Sequence, residues 1–150
     1  MPGNIGLLIR YVIFKNLSAY CGNNVSIHQG VFLKHIGNIS IGNNVSIHSM
    51  CYIDGFGGLT IGNDVSIAHA STIMTTNHTW EDKNIPIKYN EATKGSVTIK
   101  DDVWVGCGCR ILAGVTIETR CAVAAGAVVN KTISPNTLVG GVPAKPLKEI

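Results

Sequence analysis

An aliphatic side chain returns at every sixth position through most of the chain. The series runs Cys21, Ile27, Leu33, Ile41, Ile47, Ile53, Ile61, Ile67, Ile73, Ile99, Val105, Ile111, Ile117, Val123 and Val129, and all but Cys21 are Ile, Leu or Val. The count slips by two residues after Leu33 and after Ile53, and by twenty after Ile73, always between one group of three hexads and the next. A period of six broken only at every third step describes a coil with three short sides per turn, the pattern of a β-helix, and it fills about five turns. The fifth place of the hexads holds a second small or apolar residue: Val25, Val45, Cys51, Val65, Ser71, Val103, Cys109, Val115, Cys121 and Ala127. Both places are predicted to face inward. The corners are polar, as in Gly22-Asn23-Asn24, Gly42-Asn43-Asn44 and Gly62-Asn63-Asp64, because Gly, Asn and Asp tolerate the left-handed backbone that such corners need.

These patterns predict an all-β fold in a single domain over residues 1–150, with an N-terminal cap (1–20), a coil (21–133) carrying one protruding loop at about 77–96, and a tail (134–150). The segment Met1 to Asn16 sets Ile5, Leu7, Leu8, Ile9, Val12, Ile13 and Phe14 around Arg10 and Lys15. It is too short and too interrupted to span a bilayer, and no small-residue cleavage site follows it. A short helix covering the open end of the coil is expected, since terminal turns need cover; peripheral contact with a membrane is the alternative.

Charged residues make up 14 % of the chain and Gly supplies 17 positions, which suits short strands and tight corners. The net charge of +3 is mild, and Lys131, Lys145 and Lys148 lie close to the end. A local anion site fits that distribution, and a nucleic-acid surface, which needs a basic stripe interleaved with aromatics, does not. Of five cysteines, Cys51, Cys109 and Cys121 occupy fifth places and Cys21 a first place, so four are expected to be core thiols in a reducing, cytoplasmic setting. Cys107, in a third place, is the exception. No Cys pair has zinc-finger spacing, and no metal site is expected.

Parallel rungs about 4.8 Å apart make five turns a thin rod with no room for an interior pocket. Chemistry must then sit on the outside, on the excursion after Ile73 or between packed copies. That excursion carries Thr75, Thr76, Asn77, His78, Thr79, Trp80, Glu81, Asp82 and Pro86 before the repeat resumes near Val97. An imidazole at its root can take a proton from an alcohol. On residue type alone, His78 is equally a structural donor or an exposed side chain.

The repeat, the loop ending in Asn77-His78, the run Asp102-Val103-Trp104-Val105-Gly106, the segment Gly114 to Ile117, the segment Ala124 to Lys131 and the tail Gly140-Gly141-Val142-Pro143-Ala144-Lys145 together resemble the hexapeptide-repeat acyltransferases. The likeness is in particular to sugar O-acetyltransferases such as the galactoside and maltose enzymes, with the streptogramin and chloramphenicol acetyltransferases nearby. It implies a left-handed parallel β-helix, although crossovers between parallel strands are otherwise right-handed, and a homotrimer with sites between neighbouring subunits. It also implies transfer of an acetyl group from acetyl-CoA to a hydroxyl of a saccharide or glycan precursor, by direct attack on the thioester. On that resemblance His78 matches the general base, the amide of Cys107 the oxyanion donor, and Trp104 the wall along the pantetheine. Ala125 matches a main-chain contact to the pantetheine, Asn130 and Lys131 a pair near the adenine and phosphate, and Lys145 and Lys148 basic positions around the CoA phosphates.

For the acceptor, His48 stands where the galactoside enzyme has an Asn, and Asp54, Glu81 and Asp82 are candidates for hydrogen bonds to it or for steadying a histidine. His28, His35 and His69 read as polar rung or corner residues. Cys107 as a ping-pong nucleophile, a xenobiotic or amino-sugar N-acetyl acceptor, a non-enzymatic solenoid and a carbonic-anhydrase-like metal site are the competing readings. The last needs two His five residues apart, and His69 and His78 are nine apart.

Overall fold

The structure, a computed structural model, describes residues 3–150; Met1 and Pro2, the first residues of the expected cap, lie outside them. Parallel strands of two or three residues wind into a three-sided coil. The first side stacks Tyr20–Cys21, Ile39–Ile41, Leu59–Ile61, Val97–Ile99 and Thr116–Ile117. The second stacks Val25–Ile27, Val45–Ile47, Val65–Ile67, Val103–Val105 and Cys121–Val123, and the third Phe32–Lys34, Tyr52–Asp54, Thr72–Ile73, Arg110–Ile111 and Val128–Val129.

The hexad series becomes three in-register columns. On the second side Ile27, Ile47, Ile67, Val105 and Val123 each pair with the next, and on the third Leu33, Ile53, Ile73, Ile111 and Val129 do the same. All except Leu33 are buried, and Leu33 packs against the core from the partly covered first turn. The fifth-place residues named above are buried as well, so the axis is filled from three directions.

The coil runs further than five turns. Ile133, the last residue of the expected coil, bridges to Ile117, and Val139, in Thr137–Gly140, pairs with Val123, which carries a partial sixth turn into residues expected to form a tail. Ile133 follows Val129 by four residues and not six, and this break in period hid it from the hexad count. Lys145–Glu149 then turns back antiparallel along Thr137–Gly140 and closes that sheet edge.

One corner repeats a single solution. Asn24, Asn44, Asp64, Asp102, Arg120 and Asn136, between the first and second sides, all have φ of 54 to 57°. Asn24 Nδ2 donates to Asn44 Oδ1 (3.0 Å) and Asn44 Nδ2 to Asp64 Oδ1 (2.9 Å), so corner amides form a ladder along the axis. Arg120 is the departure: its guanidinium reaches Asp102 one turn away (3.2 Å).

Helix α1 (Gly3–Leu17) covers the first turn as expected. Phe14 is fully buried against the coil, and the Tyr11 hydroxyl donates to the Gly22 carbonyl (3.1 Å). No helix among the described residues is long and apolar enough to cross a membrane.

Replacing Ile67 by Ala is expected to lower stability by about 2–5 kcal/mol, because stacked rungs above and below cannot collapse into the space; a urea unfolding curve measures it. Burial pushes the thiols of Cys21, Cys51, Cys109 and Cys121 up from their ordinary value. Cys107 is half-exposed. A thiol titration of the native protein should therefore release one rapid equivalent per chain, lost in Cys107→Ser, and the other four only on unfolding.

Candidate functional site

The corner between the second and third sides runs the length of the coil. Gly106-Cys107-Gly108 sits there with Ala124-Ala125-Gly126 stacked on it, and His69 lies below. The Gly108 N–H donates to His69 O (3.0 Å) and the Gly126 N–H to Cys107 O (2.8 Å). The N–H groups of Cys107 and Ala125 donate to nothing among the described residues. Two main-chain donors, one turn apart on an open corner, are thus free for an oxygen atom brought to them. Gly106 is fixed by close approach: a Cβ there would lie 2.7 Å from Ala125 N and from Val123 O.

Two side chains brace this corner without having been singled out from the sequence. The buried Ser71 hydroxyl donates to Gly106 O (2.9 Å) and accepts the Cys109 N–H (3.2 Å), bracketing the Cys107 turn from inside. Arg110 donates to the carbonyls of Ala70 (3.1 Å), Gly108 (2.9 Å) and Cys109 (3.0 Å) from outside. A serine among apolar fifth places was the one signal in the sequence for the former. Nothing in the repeat marks Arg110.

Trp104 stands on the outer face of the second side, 51 % exposed, level with Ser66 on one neighbouring strand and Ala122 on the other. Small neighbours leave its ring open beside a shallow groove of about 410 Å³ that also takes in Ser46, Arg120 and Ile150. His48 lies on the same corner as Cys107, two turns lower, stacked on His28 with ring centroids 4.7 Å apart. Burial, then the charges of His48 and Arg10, push His28 below its ordinary value.

The excursion is a hairpin. Thr76–His78 pairs antiparallel with Ala92–Lys94, placing His78 opposite Ala92. The segment beyond is stitched by Asn90, whose side chain accepts the Asp82 N–H (3.0 Å) and donates to Asp82 O (3.2 Å). His78 is exposed, and its imidazole makes no hydrogen bond or ring contact within the described residues. Glu81 and Asp82 line a groove of about 450 Å³ on this hairpin with Tyr89 and Asn90.

Asp54 holds the root of the hairpin. Its carboxylate is buried, pairs with His35 Nδ1 (2.8 Å) and accepts the Phe56 N–H (3.0 Å). Its carbonyl accepts the buried Thr75 hydroxyl (2.8 Å), which in turn accepts the Gly57 N–H (2.8 Å). The histidine that Asp54 steadies is His35.

Asn130 and Lys131 are exposed at the corner between the third and first sides, just past Val129. Lys145 lies across from Gly140 and Lys148 across from Leu138 on the closing strand, both exposed. The tail is latched to the third side, Val128 N–H donating to Gly141 O (3.0 Å) and Ala144 N–H to Val128 O (2.8 Å). A groove of about 200 Å³ at this end joins Lys131 to Ala144 and Pro146.

The predicted residues therefore fall into two sets on one chain. Trp104, Cys107, Ala125 and His48 follow the second side and its corner with the third, with Lys145 and Lys148 at their upper end. His78, Glu81 and Asp54 gather at the far edge of the third side, with Asn130 and Lys131 on that edge two turns on.

Residues 96–131 match the family model described as bacterial transferase hexapeptide (six repeats). The galactoside O-acetyltransferase of Escherichia coli (strain K12) is 31 % identical over 146 residues, 94 % of this chain and 68 % of that one. Shorter matches include one of 52 % over 54 residues to an acetyltransferase of Schizosaccharomyces pombe, which spans 26 % of that chain. Among solved structures, a galactoside acetyltransferase in complex with coenzyme A aligns with a TM-score of 0.90 at 30 % identity, over 100 % of this chain and 73 % of that one. A hexapeptide-repeat acetyltransferase from Vibrio cholerae O1 biovar eltor, complexed with acetyl coenzyme A, aligns at 0.87 and 31 % identity over 95 % and 76 %.

Proposed function

Since the chain belongs to the hexapeptide-repeat acetyltransferases, we propose that it moves an acetyl group from acetyl-CoA to a hydroxyl of a saccharide or glycan precursor. The observation that carries this reading is the pair of unpartnered N–H groups of Cys107 and Ala125 on an open corner beside an exposed Trp104. The residues present suit the cosubstrate: an aromatic face for an extended thiol arm, main-chain donors for its amide oxygens, and lysines at one end for its phosphates. Acetyl-CoA supplies an activated acetyl carbon as a thioester.

His78, free of internal hydrogen bonds, takes the proton of the acceptor hydroxyl as that oxygen bonds to the acetyl carbon, and the proton passes to the CoA sulfur as the C–S bond breaks. The Cys107 N–H donates to the oxygen on which negative charge develops, and its fixed position means that no reorganisation is required at that moment. Ser71 and Arg110 hold the turn that aims it. His48 and Glu81 contact the acceptor, while Asp54 acts through the hairpin root. Trp104, Ala125, Asn130, Lys131, Lys145 and Lys148 hold the cosubstrate.

His78 and Cys107 lie on opposite edges of the third side, so one chain presents both halves of a site to different neighbours. A contact that sets the His78 edge of one copy against the Cys107 corner of the next is head-to-tail and makes a ring when its rotation closes, as a threefold rotation about an axis parallel to the coil does. A homotrimer of left-handed coils with three sites between subunits is the assembly that goes with this reading.

Thiol release from acetyl-CoA against a panel of sugars and amino sugars tests the activity. With the best acceptor, His78→Ala is expected to lower kcat/KM by about two to four orders of magnitude with the fold intact by circular dichroism. Near-normal turnover would remove His78 from the mechanism. Cys107→Ser should retain activity within about threefold, because the amide and not the thiol acts; a loss as deep as that of His78→Ala would favour a nucleophilic thiol.

A further inference from the structure

Helix α1 has its polarity reversed. Gly6, Leu7, Arg10, Tyr11 and Phe14 face the coil, and Arg10 and Tyr11 donate inward to the carbonyls of Ile27 and Gly22. Ile5, Leu8, Ile9 and Val12 face away from it and are exposed, Leu8 at 61 % and Val12 at 47 %, with the exposed Ile13 at the edge of the same face beside Phe14 and Ile27. Their spacing follows the helical period, so they form one continuous stripe, whereas a surface helix ordinarily turns such a stripe to the core. An exposed apolar stripe of this extent marks a docking surface.

Charge selects the occupant. The chain holds twelve basic and nine acidic residues, yet residues 1–53 contain Arg10, Lys15 and Lys34 and no Asp or Glu. The remaining nine basic residues balance all nine acidic ones, so the net charge of +3 resides in residues 1–53, and the one carboxylate beside this stretch on the next rung, Asp54, is buried against His35. A second copy docked helix to helix would set two such ends against each other. An anionic lipid surface complements both features, taking the stripe at the boundary of its acyl chains and the positive field at its headgroups. At 15 residues the helix is about 22 Å long. That is too short to span a bilayer and long enough to lie in its surface.

We propose that α1 docks this end of the coil onto an anionic membrane surface, with Ile5, Leu8, Ile9, Val12 and Ile13 inserted at the interface. The docking is independent of acyl transfer and is read without turnover.

The test is cosedimentation of the full chain with unilamellar vesicles of phosphatidylcholine containing about 30 % phosphatidylglycerol, compared with phosphatidylcholine alone. Binding to the anionic vesicles is expected, weaker by at least about tenfold on neutral vesicles and similarly reduced by about 0.5 M salt. Leu8→Glu with Val12→Glu should lower anionic binding by about tenfold or more with an unchanged circular dichroism spectrum. Lys15→Glu, on an exposed side chain whose ammonium donates to the Tyr11 hydroxyl (3.0 Å), should lower it by roughly fivefold, again with an unchanged circular dichroism spectrum. The proposal is overturned by no binding to anionic vesicles, by equal binding to neutral ones, or by folded variants that bind like the parent. It is overturned also if, without lipid, the double variant sediments as a smaller species than the parent, which would assign the stripe to contact between copies.

Discussion

In-register stacking of aliphatic side chains governs this molecule. Each inward Ile or Val lies on its counterpart one rung away, as in the column from Ile27 to Val139 on the second side. Three such columns meet along the axis with their side chains almost wholly buried, and each fully buried Ile contributes about 1.5–3 kcal/mol through the water it sheds. Polar chemistry is thereby confined to the outward faces and corners.

The three corners have separate tasks. Between the first and second sides, Asn, Asp and Arg hold one left-handed conformation and bond along the axis, which makes that corner structural. Between the second and third, glycines at 106, 108 and 126 let the chain turn closely, and the Cys107 and Ala125 N–H groups there have no acceptor among the described residues. Between the third and first, extra residues cost the columns nothing, because the next strand still begins in register: Leu59–Ile61 pairs directly with Val97–Ile99 across the whole excursion. The hairpin bearing His78 leaves at that tolerant corner, anchored by Asp54, His35 and Thr75.

A functional arrangement follows from the same constraint. A rod without an interior can enclose a ligand only with help, and its candidate reactive groups are divided between the two edges of one side. The proposed assembly joins the edges of different copies. The helix-capped end is a separate surface, apolar outward and positive, set apart from the Cys107 corner by several rungs of coil.

The sequence by itself determined the columns, the polar corners, the burial of four thiols and the place of the excursion, because each is a local rule repeated at a fixed period. Its likeness to the hexapeptide-repeat acyltransferases singled out His78, Trp104 and Cys107 from residues that chemistry alone left open. The tertiary structure decided what depends on residues far apart in the chain. The partial sixth turn was invisible because Ile133 breaks the period, and the partner of Asp54 because His35 lies 19 residues away. The bracing of the Cys107 turn by Ser71 and Arg110 crosses between rungs, where spacing carries no information. That α1 turns its aliphatic residues outward was equally illegible, since a segment apolar on nearly every face does not state which face will meet the coil. Packing of Phe14, Tyr11 and Arg10 on the first turn chose it.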